Sequence, residues 1–120
     1  MTASLYQRLG DAQGISKIVD NIVAAHLRNP LVNPRFKHVK DLDHLEEMAR
    51  QFFSSGSGGP ETYSGKDMRT AHTGMNISEQ EYLAVMDDII DALDKQKLDQ
   101  ATKNDVIAIL HSLIGDIIRV

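Results

Sequence analysis

The chain has no cysteine. That excludes disulfides, zinc–thiolate sites, cysteine catalysis, thiolate ligation of iron and any cofactor attached through a cysteine sulfur. A surplus of positive charge is also missing. Thirteen Lys and Arg stand against 17 Asp and Glu, a net charge of −4, whereas binding a phosphate backbone needs a basic face. No nucleic-acid partner is expected. No apolar run approaches the roughly 20 residues of a membrane span. Met1-Thr2-Ala3-Ser4 is not a basic stretch leading into an apolar one. No membrane partner is expected, and a soluble cytoplasmic protein is the default. No stretch alternates at period two for long enough to make a sheet, and no repeat or linker divides the chain. With 120 residues, the expectation is a single all-α domain over 1–120.

What is present is helical periodicity punctuated by caps. Ser4 can cap a short helix carrying Leu5, Tyr6 and Leu9, stopped by Gly10. Asp11 can cap the next helix, whose apolar residues Ile15, Ile18, Val19, Ile22, Val23 and Leu27 recur at three and four up to about Asn29. Pro30 ends it and Pro34 prevents another long helix soon after. Leu31-Val32-Asn33 reads as one tight turn, with Phe36 following in a loop. Asp41 caps a helix to about Ser55, striped by Leu42, Leu45, Ala49, Phe52 and Phe53. Residues 56–67 are dominated by Gly, Ser and Pro and read as a turn-forming, mobile segment. Ser78-Glu79-Gln80-Glu81 is a capping box. It starts a helix with Tyr82, Val85, Met86, Ile89, Ile90 and Leu93 inward and Asp87, Asp88, Asp91 and Asp94 on the solvated side. Asp99 caps a last helix running through Val106, Leu110, Leu113, Ile117 and Ile118. The two long C-terminal helices should pack antiparallel.

The chemistry centres on Asp67-Met68-Arg69-Thr70-Ala71-His72. His72 falls on at most two helical turns, with Met68 four residues before it and Met75 three after. One histidine among soft apolar side chains suits an axial ligand to a flat apolar cofactor, haem. A histidine on a surface turn has the same spacing, so the pattern leaves both readings open. His26, His38 and His111 lie on or beside polar faces and read as structural or solvated.

Three segments, Ser4-Leu5-Tyr6-Gln7-Arg8-Leu9-Gly10, Gly58-Gly59-Pro60-Glu61-Thr62-Tyr63-Ser64-Gly65-Lys66-Asp67 and Met68-Arg69-Thr70-Ala71-His72, together resemble the truncated haemoglobins, in particular their first group. The resemblance runs from about Ser4 onward. It implies a two-on-two helical sandwich around haem b, with His72 as the proximal iron ligand and Phe36 packed on the porphyrin. Met68, Met75 and Tyr82 join Phe36 as cofactor contacts. Arg69 and Tyr63 are candidates for the haem propionates, since a guanidinium suits carboxylates.

The distal side admits two registers. Counting forward from Phe36 puts His44 and Met48 toward the iron; counting back from Gly58-Gly59 puts Leu45 and Ala49 there. At roughly 100° per residue, Leu45, Ala49 and Phe52 lie within about 60° of one another, which favours the second count. Met48 then takes the place of a histidine that some cyanobacterial relatives use as sixth ligand, and His44 is the other candidate. The sequence departs from the resemblance at Val23, which stands where most first-group members carry a tyrosine that donates to bound dioxygen. Val23, Leu45 and Ala49 therefore form an expected apolar ceiling without a donor.

The leading expectation is a globin that binds diatomic gases or cycles the redox state of its iron. A nitric-oxide dioxygenase or peroxidase-like enzyme served by a partner reductase is the enzymatic alternative. A haem-free, globin-shaped interaction domain is the third.

Overall fold

The computed structural model describes residues 3–120. Its α-helices are α1 (Leu5–Arg8), α2 (Asp11–Arg28), α3 (Leu42–Gly56), α4 (Met68–His72), α5 (Glu79–Lys95), α6 (Gln100–Ser112) and α7 (Ile114–Ile117), with a 3-10 helix at Asn33–Phe36 between α2 and α3. No helix among the described residues is long and apolar enough to cross a membrane.

Most helix starts follow from local chemistry. Ser4 and Gln7 cap each other reciprocally at α1. The Asp41 carboxylate accepts from the His44 N–H at 3.0 Å. Ser78 and Glu81 close a capping box at α5. Asp99 accepts from the Thr102 N–H at 2.8 Å, and the bonds from Thr102 hold its carboxyl below the usual aspartate range. Each cap satisfies an N–H that the first helical turn leaves without a partner.

α2 is the exception. Gly10, not Asp11, is its N-cap, and Asp11 is already helical. The chain must reverse sharply after the buried Leu9. It does so through Gly10 at φ 97° and Asp11 at φ 59°, a left-handed pair for which glycine carries no Cβ penalty.

α2 is the axis of the core. Ile15, Ile18, Val19, Ile22 and Val23 cluster with Leu9, Ile89, Ala92, Leu93, Val106 and Leu110. α2 packs against α3 on one side and α5 on the other, and α5 packs on α6. The α5–α6 pair is antiparallel. Tyr82, early in α5, donates to the Leu110 carbonyl late in α6, while Lys103, early in α6, pairs with Asp94 late in α5 at 2.8 Å. The result is a two-on-two helical sandwich.

Three further details differ from the sequence expectation. Phe36 closes the 3-10 helix rather than lying in a loop. The last helix does not run through: it breaks at Leu113, α7 is four residues long, and Ile118 pairs with Ile77. Asp88 is not on a solvated face. Its carboxylate accepts from His26 Nδ1 at 2.7 Å and from Asn29 Nδ2 at 3.2 Å, and only 13% of its side chain is exposed. His26, 7% exposed, is therefore buried, with its ring 5.7 Å from that of Phe36.

Candidate functional site

α3 carries six large or apolar residues along one side, yet its single fully buried residue is Ser54. Leu42, Ala49 and Phe53 pack against the core. Leu45 remains 36% exposed and Met48 half-buried. These two face an open cleft of about 470 Å³, lined by His44, Leu45, Met48, Tyr63, Ser64, Gly65, Lys66 and Ala71. That volume lies within the roughly 300–1,000 Å³ typical of small-molecule sites.

The far wall of the cleft is a tethered loop. The Ser64 N–H and hydroxyl both donate to Gln51 Oε1, at 3.0 and 2.7 Å. The Tyr63 hydroxyl donates to the Lys66 carbonyl at 2.6 Å, and the Tyr63 ring meets Phe52 edge-on at 5.4 Å. Burial, then the nearby Asp67 charge, pushes the Tyr63 phenol up. At the start of the loop, the Gly59 N–H donates to the Ser54 carbonyl at 2.7 Å. A Cβ on Gly59 would come within 2.4 Å of the Tyr6 ring and 2.5 Å of Ser54 Oγ. The segment expected to be mobile is thus tied to α1 and α3 by glycine-dependent close packing.

Beside Ala71 stands His72, the last residue of α4. Asp67 caps this helix by accepting from the Thr70 N–H, but none of its five residues is buried. His72 Nδ1 lies 2.7 Å from the Met68 carbonyl oxygen. A carbonyl only accepts, so Nδ1 carries the hydrogen, and in the neutral ring the lone pair is on Nε2. A backbone acceptor on one imidazole nitrogen is the usual way a metal-ligating histidine has its tautomer and ring orientation set.

The other candidate residues divide. His44, Leu45, Met48 and Tyr63 share the cleft. Val23 lies in the core and Ala49 packs against it, so neither forms the cleft lining. Phe52 lies behind Tyr63 and borders a separate apolar cavity of about 40 Å³ with Leu5, Leu9, Val106 and Leu110. Phe36 packs on His26. Met68 is half-buried in α4. Met75 donates its N–H to the His72 carbonyl. Tyr82 is committed between α5 and α6, where burial pushes its phenol up. Arg69 turns to α7, donating to the Gly115 carbonyl at 3.2 Å with Asp116 3.9 Å away. Among the lining residues, Ser64, Gly65, Lys66 and Ala71 were not singled out from the sequence. Ala71 was legible as the neighbour of His72; the other three carry no pattern of their own.

The family model for bacterial-like globins matches residues 4–118. The chain belongs to the bacterial-like globins. Within them it resembles the group 1 truncated haemoglobins. It is 25% identical to that of Tetrahymena pyriformis over 96% of this chain and 94% of the relative. It is 24% identical to that of Mycolicibacterium paratuberculosis over 96% and 84%. The crystal structure of the T. pyriformis truncated haemoglobin in its Fe(III) form superposes with a TM-score of 0.93 at 24% identity, covering 98% of this globin and all of that chain.

Membership of a globin family implies haem binding, and the residues present fit that group. A porphyrin needs an apolar slot, and α3 leaves Leu45 and Met48 without packing partners enough to bury them. Its iron needs a neutral imidazole nitrogen with a free lone pair, and among the described residues His72 Nε2 makes no hydrogen bond. Two carboxylates on its edge need cations, and Lys66 stands at the cleft.

Proposed function

We propose that this globin holds haem b through His72 Nε2 and binds diatomic gases (dioxygen, nitric oxide, carbon monoxide) on the opposite face. When bound, haem supplies an open iron coordination position and a one-electron redox couple. The rest is the work of the chain's own residues. The Nδ1–H to Met68 carbonyl bond carries the assignment, because it orients the ring, excludes the wrong tautomer and raises the basicity of Nε2. Leu45 and Met48 exclude water from the apolar side of the cleft, while Lys66 and Ser64 present its polar edge. Turnover as a nitric-oxide dioxygenase or a peroxidase would require an external electron donor, a partner reductase.

Titrating the purified chain with haem tests the proposal. A Soret band at one haem per chain is expected, and no band would overturn haem binding altogether. His72→Ala should abolish ordinary haem retention. An unchanged spectrum and affinity in that variant would show that another residue holds the iron.

The distal ligand is the finer question. His44 and Met48 stand one helical turn apart on the same cleft, so either can approach iron once haem is present. An intramolecular side chain also competes at high effective concentration. We expect low-spin, six-coordinate character in at least one oxidation state, weakened in His44→Leu or Met48→Leu. Purely five-coordinate high-spin spectra for the wild type in both states would rule out an internal ligand. If His44 instead donates to bound dioxygen, His44→Leu should speed dioxygen release about fivefold, the equivalent of about 1 kcal/mol for one neutral hydrogen bond.

A further inference from the structure

No residue of the helix that carries His72 is itself part of the buried core, although that helix packs against α7. α4 has five residues and buries none of them, and a helix of that length has no stability of its own. The loop after it, Thr73–Ile77, passes through two left-handed residues, Gly74 at φ 91° and Asn76 at φ 48°. The region is held by polar clamps from two sides. On one side, residues near Val120 take up the loop backbone: the Val120 carbonyl accepts from the Gly74 and Asn76 N–H groups at 3.1 Å, and the Arg119 N–H donates to the Ile77 carbonyl at 2.9 Å.

On the other side is a single side chain from a distant element. Arg35, in the 3-10 helix, donates from Nη1 to the Met75 carbonyl at 2.9 Å. The same guanidinium forks onto Glu81 at the start of α5, with Nε to Oε2 at 2.7 Å and Nη2 to Oε1 at 2.9 Å. Met75 in turn donates its N–H to the His72 carbonyl at 3.0 Å. One planar cation thus joins the first turn of α5 to the peptide three residues after the histidine. A fork with two parallel bonds fixes direction as well as distance, which an ammonium cannot do.

We propose that Arg35, oriented by Glu81, is a positioning residue for the proximal ligand: it sets the height and tilt of His72 against the haem iron. The inference rests on His72 being that ligand. It assigns the chain Arg35 → Met75 carbonyl, Met75 N–H → His72 carbonyl the part that buried side chains would play in a more deeply packed helix. In this arrangement Arg35 acts through the histidine's backbone.

Arg35→Met, Arg35→Lys and Glu81→Gln test this in the haem-loaded protein. Glu81→Gln keeps the capping-box acceptor but loses the charge that holds the fork. Two readouts are needed: the rate of haem transfer to excess apomyoglobin, and the iron–histidine stretching band of the ferrous protein by resonance Raman. Outer-shell partners of a ligating histidine typically change metal affinity by about 10- to 100-fold. Arg35→Met should therefore release haem about tenfold faster, with a shifted or broadened stretching band. Arg35→Lys should fall between, and Glu81→Gln should move both readouts in the same direction. If Arg35→Met does not fold, Glu81→Gln decides alone. A folded variant with wild-type transfer rate and stretching band would overturn the proposal. So would equal melting losses in apo- and holo-protein with the band unmoved, since that marks a merely structural bridge. A wild type that takes up no haem, or His72→Ala that keeps it unchanged, would instead sink the functional reading beneath it.

Discussion

His26 and His72 each have Nδ1 held at 2.7 Å, and there the likeness ends. His26 meets a carboxylate 62 residues away in sequence, on another helix, with Asn29 on the same acceptor and Phe36 against its ring. It sits at the α2–α5 crossing, where Ile18, Ala92 and Leu93 are completely excluded from solvent or nearly so. His72 meets a main-chain carbonyl one turn back, on a helix that buries nothing. A histidine bound by a carboxylate inside a packed crossing is a structural tie. The one bound by its own backbone, beside an open cleft, has its second nitrogen without a hydrogen bond among the described residues. The contrast extends to the surroundings: apolar packing fixes the first region, and hydrogen bonds and ion pairs fix the second. The helix that carries His72 is, with α1 and the 3-10 helix, one of the elements that bury no residue.

Breaking the packed region should cost most. Ile18→Ala removes a side chain with no exposed surface from the centre of α2. It should destabilise the protein by about 2–5 kcal/mol in urea unfolding, whereas Thr70→Ala on the exposed side of α4 should stay within about 0.5 kcal/mol. Equal losses at the two positions would erase the distinction.

The tie across the crossing comes next. Asp88→Ala leaves His26 and Asn29 without their shared acceptor in a nearly dry site. The cost of unpartnered buried polar groups is about 1–3 kcal/mol, again by urea unfolding. A neutral result would mean that solvent reaches His26 freely.

The smallest effect belongs to the polar clamp and depends on pH. The Arg35 guanidinium, through its hydrogen bonds, brings the Glu81 carboxyl from its ordinary 4.5 to about 2. Because the folded value lies below the unfolded one, the contribution to stability is complete above about 4.5 and is lost as pH falls from there toward 2. Both side chains are partly exposed, so salt should weaken it. Glu81→Gln should lower the melting temperature near neutrality, where the contribution is complete, and flatten the acid side of the profile over that interval, so that variant and wild type converge toward pH 2. A wild-type acid slope in the variant would assign the acid sensitivity to other carboxylates.

The resemblance pointed to His72, which the structure places beside Ala71 at the edge of the cleft, and the apolar spacing of α2 and α5 was enough to lay out the core. The distal side was not legible to the residue. The stripe Leu42, Leu45, Ala49, Phe52, Phe53 is a real helix face, but it is shared: Leu42, Ala49 and Phe53 go to the core, while Leu45 and Met48 go to the cleft together with His44. Periodicity finds the apolar arc of a helix and cannot say which part of the arc meets the core and which part waits for a cofactor. The surroundings of Arg69 were not legible for a related reason. Its charge suited a propionate, but the break at Leu113 swings α7 toward α4 and gives the guanidinium a carbonyl to bind.

By itself, then, the sequence determined what is settled within three or four residues: the caps at Ser4, Asp41, Ser78 and Asp99, the helical periods, and the carbonyl one turn behind His72 that selects its tautomer. Tertiary structure alone decided the break that makes α7, the inward turn of Asp88 to His26, the split of the α3 face, and the reach of Arg35 across 40 residues to Met75. Capping and helix propagation are energies between near neighbours in the chain. Those other outcomes depend on which elements come to lie side by side, and no local pattern of residues encodes the partner.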